Sequence, residues 1–306
     1  MGEVWRAQLG DKGPEVAIKL LMNERLVDER FLAAFEREVR AVSGLVHSQV
    51  VRVHDYGLVT ASESANSDGL LQTGLPWLAM EMANGGALTP HCGKLSSEEC
   101  VSVLLGLLRC LAHAHSHDVI HRDLKPGNVL LRRPGKVSQS MMLTDFGLAH
   151  ITQRGFQAEA LEGGWLGTTS YMAPEQFDLD ASRVGPWTDL YGFGCLAWSL
   201  ICGKAPFSHL ESPNAIRVAQ ILHEPPGYEP LIDLPIAVED WLRRLLEKKP
   251  ERRFAWAIEA AEGLRRVMRG KTLHSYNFPE PQPDWRSYRV GELSHELKAL
   301  GGTGLG

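Results

Sequence analysis

The order of apolar and polar positions along the chain predicts a small strand-rich half followed by a larger helical half. Residues 3–7 and 15–21 alternate as strands do, with a turn over Gly10 to Pro14 between them. Alternation puts Val16, Ile18 and Leu20 on one face of the second strand, and Ala17, Lys19 and Leu21 on the other. Phe31, Phe35, Val42 and Leu45 recur at three- and four-residue spacing and predict a helix over 28–45. Glu38 falls on that apolar stripe, where a carboxylate is costly unless paired, so a buried cationic partner is expected. Val50 to Val53 and Trp77 to Met82 read as two further strands, and Thr60 to Gly74 between them as a loop. Asn84, Gly85 and Gly86 break the pattern and mark a boundary.

Beyond that break, Ser96-x-x-Glu99 has the spacing of a capping box. The helix it opens, 96–117, carries Val101, Leu104, Leu105, Leu108 and Leu111 on one face. Val129 to Leu131 reads as a buried strand, Arg132 to Gln139 as a long turn and Met141 to Thr144 as a returning strand. From residue 183 the pattern is mostly helical. Pro279, Pro281 and Pro283 give 274–284 a linker composition, and 301–306 is glycine-rich. The fold class expected is α+β.

Composition narrows the partners. A net charge of −5, with no basic stripe, argues against a nucleic-acid binder. Arg243, Arg244, Lys248, Lys249, Arg252 and Arg253 cluster at helical spacing and read as a solvated helix face. The five cysteines contain no C-x-x-C pair, which disfavours a disulfide framework or zinc site and favours a reducing, cytoplasmic setting. The longest apolar run, Leu190 to Cys202, is too short for a membrane span, which takes roughly 20 residues, so it reads as a buried core helix.

The candidate chemistry is concentrated in His121-Arg122-Asp123-Leu124-Lys125-Pro126-Gly127-Asn128 and Asp145-Phe146-Gly147. Phosphoryl transfer needs an orienting base, oxygen ligands for a metal, and cations at the phosphates. Asp123 offers a carboxylate to take a hydroxyl proton, and Lys125 a cation for the moving phosphoryl group. Asn128 offers a carbonyl for Mg²⁺, and Asp145 a second metal ligand at a strand end. Five fixed residues in His-Arg-Asp-x-Lys-x-x-Asn would occur by chance on the order of 10⁻⁴ of the time in a chain this long.

On these motifs the chain resembles the eukaryotic-like Ser/Thr protein kinases of bacteria over about residues 2–270. The resemblance implies the two-lobed protein-kinase fold: an N-lobe and hinge at 1–83, a helical C-lobe at 84–272, and a tail at 273–306. It implies ATP with Mg²⁺ (or Mn²⁺) as cofactors, protein Ser/Thr hydroxyls as acceptors, and a possible regulatory region beyond the C-terminus. Val16-Ala17-Ile18-Lys19 resembles the family's third strand, so Lys19 would grip the α- and β-phosphates and Ala17 would lie against adenine. Glu38 is then the expected partner of Lys19. Trp77 to Ala83 resembles the hinge, with Met80 as gatekeeper, the backbones of Glu81 and Ala83 on the adenine edge, and Leu130 as the adenine floor. Ala173-Pro174-Glu175 resembles the end of the activation segment, with Glu175 pairing to Arg253. Asp189 resembles the buried aspartate that holds the catalytic-loop backbone. Lys125, with Gly167-Thr168-x-x-Tyr171, implies Ser/Thr specificity, Thr168 bonding Asp123 and Lys125.

Two stretches depart from the family pattern. Met1-Gly2-Glu3-Val4 matches only the end of the Gly-rich loop, with Gly2 as its third glycine and Val4 over adenine. That implies a start inside the motif, an edge strand at 3–7 without the family's first strand, and weak ATP binding. It supports the alternative reading of an inactive fragment or pseudokinase scaffold. A small-molecule phosphotransferase of the aminoglycoside-kinase type is a third reading, disfavoured by Ala173-Pro174-Glu175 and by Arg122. Arg122 itself implies an anionic partner, Glu159 or Glu162 or a phosphate on Thr169, because 153–167 lacks Ser, Thr and Tyr.

Overall fold

The computed structural model describes residues 3–8, 10, 12–21, 29–146, 169–178 and 183–270. Gly2, Gly147, Glu159, Glu162, Thr168 and the 273–306 tail lie outside the described residues.

Four strands form one antiparallel sheet in the order β1-β2-β4-β3: β1 (Glu3–Gln8), β2 (Glu15–Leu20), β3 (Val53–Leu58) and β4 (Pro76–Glu81). Alternation along β2 separates two apolar clusters. Ile18 and Leu20 pack with Val59, Leu75 and Trp77 on one face. On the other, Leu21 joins Leu78, Met80 and Val51 with Phe35 and Val39 of helix α1 (Glu29–Ser43). Val39, one residue from Glu38, is buried. β1 is an edge strand, and Val4 and Trp5 are exposed on it.

The third strand lies at Val53–Leu58 and not at Val50–Val53. Val50 and Val51 are buried, but their backbone partner is Leu143, through a single bridge and a Val51 N–H to Leu143 carbonyl bond of 2.9 Å. They are core residues that tie the sheet to a second, smaller sheet, and β3 is the more polar edge. The span read as a loop, 60–74, contains a short helix, α2 (Ala61–Ala65), closed by a reciprocal capping box between Thr60 and Glu63. The expected long turn likewise contains α4 (Val137–Ser140).

Helix α3 (Ser97–His115) begins where the Ser96 hydroxyl accepts the Glu99 N–H at 3.2 Å. The box is one-sided, because the Glu99 carboxylate accepts from Ser138 N–H at 3.4 Å instead. Its buried face includes Val103, Leu104, Leu107, Leu108 and Leu111, with Val101 and Leu105 only partly covered. α3 packs with α5 (Pro186–Cys202), α7 (Ala237–Leu245) and α8 (Ala257–Met268) around the main core; α6 (Pro213–Leu222) lies outside that set. All 17 residues of α5 are buried, as an apolar-all-round helix requires.

The chain passes from sheet to helices alongside β5 (Val129–Leu131), which pairs with β6 (Met141–Leu143). Gly85 N–H and Leu88 N–H bond the carbonyls of Leu131 and Val129 at 2.8 Å each. A Cβ on Gly85 would sit 2.7 Å from the Arg133 carbonyl group, so only glycine permits this approach. Among the described residues no helix is long and apolar enough to cross a membrane. All five cysteines are free. Burial pushes the Cys100 thiol up to about 12 and those of Cys92 and Cys202 up to about 11.

Candidate active site

The site lies between the sheet and the β5–β6 pair. Cross-strand register sets Val4 opposite Lys19, Arg6 opposite Ala17, and Leu78 and Met80 opposite Lys19 and Ala17. Directly opposed residues share a face, so Val4, Ala17, Lys19 and Met80 line one side of the sheet. Met80 is buried and Leu130 half-buried. Behind Met80 a small apolar cavity is lined by Val39, Val51, Leu78, Leu143, Asp145 and Phe146, among others. Glu81 N–H is donated to the Arg52 carbonyl at 2.8 Å, so a main-chain bond from Glu81 to an adenine edge has to come from its carbonyl. The Glu81 carboxylate binds Arg132 at 2.5 Å.

The loop 121–128 is tightly cross-linked. Lys125 Nζ donates to both oxygens of Asp123, at 3.1 and 2.8 Å. Asn128 Nδ2 donates to the Asp123 carbonyl at 2.7 Å and to its carboxylate at 2.9 Å. A carbonyl can only accept, which fixes the amide orientation and turns the Asn128 Oδ1 away from Asp123. That oxygen and the Asp145 carboxylate are hard donors of the kind Mg²⁺ takes, completed by substrate phosphates rather than by an all-protein cage. Among the described residues no group of three His, Cys, Asp or Glu could hold a metal ion by itself.

Two residues to which the sequence reading gave no individual role hold the parts in register. His121, fully buried, donates Nε2–H to the Thr144 carbonyl at 2.8 Å, while its Nδ1 accepts Asp123 N–H at 3.2 Å. One neutral tautomer serves both bonds, and so links Asp123 to the residue preceding Asp145. Its position at the head of the loop was the only sequence signal. Gln176 accepts Ala173 N–H and donates to the Arg122 carbonyl at 2.8 Å, docking the 173–176 turn on the same loop.

Asp189 sits beneath the loop, wholly buried. Its two oxygens accept the backbone N–H of Arg122 at 2.7 Å and of His121 at 2.8 Å, and His115 Nε2 donates to it at 2.8 Å. Burial pushes the Asp189 carboxyl upward, but these donors outweigh it and hold the group below its ordinary range. The anchoring matters because Arg122 is left-handed, at φ +66°, as is Asp145 at +65°. Glu175 and Arg253 form a buried two-pronged pair at 2.7 and 2.9 Å, with Thr188 donating to Glu175 at 2.8 Å. Burial raises the Glu175 carboxyl, and Arg253 with the surrounding donors brings it below normal.

One expected pairing is not made. Lys19 Nζ lies 2.7 Å from Asp145 Oδ1, and Glu38 instead faces Arg122 at 3.9 Å and Arg37 at 4.0 Å. The fold supplies Arg122 as a second cation, so the half-buried carboxylate of α1 is compensated without Lys19. Among the described residues Glu38 is an anion beside Arg122; Glu159 and Glu162 lie outside the described residues. Thr169, the other candidate, is buried at 8% exposure. Tyr171 is hydrogen-bonded to Ser199 at 3.2 Å.

The protein kinase domain family model matches residues 1–263. The chain is 32% identical over 275 residues to the serine/threonine-protein kinase PknA of Mycobacterium tuberculosis, covering 89% of this chain and 59% of that protein. It is 30% identical over 277 residues to the probable serine/threonine-protein kinase PknB of Bifidobacterium longum, covering 88% and 38%. Among solved structures, the M. tuberculosis PknI kinase domain superposes with a TM-score of 0.63 at 26% identity, covering 88% of this chain and 91% of that one. The chain thus spans under two thirds of the length of these full-length relatives.

Proposed function

Because this chain belongs to the protein kinase domain family, with a small antiparallel-sheet lobe and a helical lobe, we propose that it transfers the γ-phosphate of ATP to Ser or Thr hydroxyls of proteins. The observation that carries this reading is the joined set Asp123, Lys125, Asn128 and Asp145, held in register through His121. Asp123 accepts the acceptor hydroxyl's proton and aims its oxygen. Lys125, already at the Asp123 carboxylate, stays within reach of the group in flight. Lys19 anchors phosphate oxygens, and Val4, Ala17, Met80, Ala83 and Leu130 enclose the base, with Gly2 over the phosphates. Asn128 and Asp145 would hold Mg²⁺, which neutralises charge building on the phosphates. Glu38, Arg122, Thr168, Glu175, Asp189 and Arg253 set the shape of the site. The scaffold reading is not favoured, since relatives of similar sequence are named kinases. The break at Asn84–Gly86 supports a division at 83/84, and the unpaired cysteines support a reducing, cytoplasmic setting.

The test is labelled phosphate transfer from ATP to a Ser/Thr protein substrate by the wild type and by Asp123→Asn. Wild-type transfer that falls about 10²–10⁴-fold in the variant is expected. Equal rates would overturn the assignment.

A further inference from the structure

A directed chain of hydrogen bonds runs through the helical lobe to the segment at 169–171. It begins at Lys248, whose Nζ lies 4.9 Å from the Phe207 ring centre and 5.4 Å from that of Tyr191. Lys248 donates to Tyr191 Oη at 3.0 Å. Tyr191 Oη lies 2.5 Å from Gln220 Oε1, an acceptor, so the hydroxyl proton points to Gln220. Gln220 Nε2 then donates to the Ser170 carbonyl at 2.7 Å and the Thr169 carbonyl at 3.4 Å. Every donor in the series faces the same way, which fixes the Gln220 amide. Gln220 and Tyr191 are fully buried.

A buried Gln–Tyr–Lys series is an expensive way to fill a core, and apolar residues of similar size would pack there at less cost. What it supplies is orientation of two backbone carbonyls. Those carbonyls belong to a segment that borders the catalytic loop. A Cβ placed on Gly192 would meet Leu124 on one side and the Tyr171 carbonyl on the other, both at 3.3 Å. Gln176 ties the following turn to the Arg122 carbonyl. On the kinase reading, a polypeptide bringing a hydroxyl to Asp123 would pass beside this wall.

We infer that Gln220, polarised through Tyr191 by Lys248, is a positioning residue for the acceptor polypeptide, holding the 169–171 backbone in the shape that receives the residues beside the acceptor hydroxyl. This rests on the proposed kinase reading. Gln220 touches no reacting atom. It acts on where the acceptor lies and leaves nucleotide binding to the sheet.

The experiment compares wild type with Gln220→Met, Tyr191→Phe and Lys248→Met, using Ser/Thr peptides that differ at the residues flanking the acceptor. For each variant the peptide KM is expected to rise about two- to tenfold, the worth of one hydrogen bond, with ATP KM and kcat nearly unchanged. The ranking of the peptides should flatten. Lys248→Arg, which keeps a cationic donor, should recover part of the loss. Amide hydrogen exchange over 169–173 should quicken in Gln220→Met and, at a distance, in Lys248→Met. If Gln220→Met fails to fold, the other two variants carry the same expectations. Unchanged peptide KM together with unchanged exchange at 169–173 would overturn the inference, as would a fall in kcat alone. Quickened exchange at 169–173 in the variants, alongside a wild type that transfers no phosphate, would instead overturn the kinase reading and leave the backbone-positioning role standing.

Discussion

Lys19 and Asp145 are joined by a 2.7 Å ion pair between strand β2 and the end of β6, with side chains only 16% and 23% exposed. This one contact connects the phosphate-facing side of the sheet to the candidate metal ligand. Lys19→Met should raise the KM for MgATP about 10- to 100-fold, the range for a charge-assisted hydrogen bond. A nucleotide titration of phosphate transfer measures it, and an unchanged KM would remove Lys19 from the nucleotide site.

Glu38 is half-buried and Glu175 fully buried, and their partners differ as well. Glu38 faces arginines at 3.9 and 4.0 Å. Glu175 is enclosed, with two short bonds from Arg253 and one from Thr188. Removing one member of a buried pair strands the other charge, so Glu175→Ala or Arg253→Met should cost about 3–5 kcal/mol. Glu38→Gln should cost about 1 kcal/mol or less. Urea denaturation of the variants side by side checks the contrast.

Asp189→Asn keeps the size of the side chain and loses one acceptor oxygen. One of the backbone N–H groups of His121 and Arg122, or His115, must then go unsatisfied. The expected outcome is a stability loss of about 1–3 kcal/mol and a larger fall in kcat than in ATP affinity, because Arg122 is no longer held at φ +66°. Thermal unfolding and steady-state kinetics measure the two parts.

Acid should weaken the fold in two stages. His47, His113 and His117 stack in a row, at 5.2 and 4.5 Å between ring centres, with Arg109 acting on His47. Burial, then the neighbouring histidines, bring His113 down to about 4, and burial, then Arg109, lowers His47. A histidine with a depressed value in the fold takes up its proton first in the unfolded chain. Stability should therefore fall as pH drops from about 6.5 towards 4. Asp189 and Glu175 are carboxylates held below their ordinary values, so their contribution is lost only below about 4.5. Melting temperature against pH should show the upper stage, and His113→Phe should flatten it while leaving the lower one.

What the sequence conveys here depends on how local the determinants are. The 121–128 loop was legible because its roles are set by spacing along a single turn, and the alternation of β2 correctly sorted Leu20 from Leu21. The helix at 61–65 was also legible in principle, since Thr60-x-x-Glu63 follows the same rule applied at Ser96. The third strand was misplaced because Val50 and Val51 are apolar for a tertiary reason, their packing against Leu143, while the true strand is a polar edge. The partner of Glu38 was beyond reach of any local rule. It is decided by competition among Lys19, Arg122 and Asp145, which come from three separate parts of the chain.

Helix α5 has no face left over for water. Within four turns it presents Thr188 to the Glu175–Arg253 pair, Asp189 to the catalytic loop, Tyr191 to Gln220 and Ser199 to Tyr171. Each working part of the helical lobe is thus bolted to one common beam. An engineer wishing to redirect this protein to a new acceptor should leave that beam untouched and rework the exposed part of α6, keeping Gln220 and its hold on 169–170.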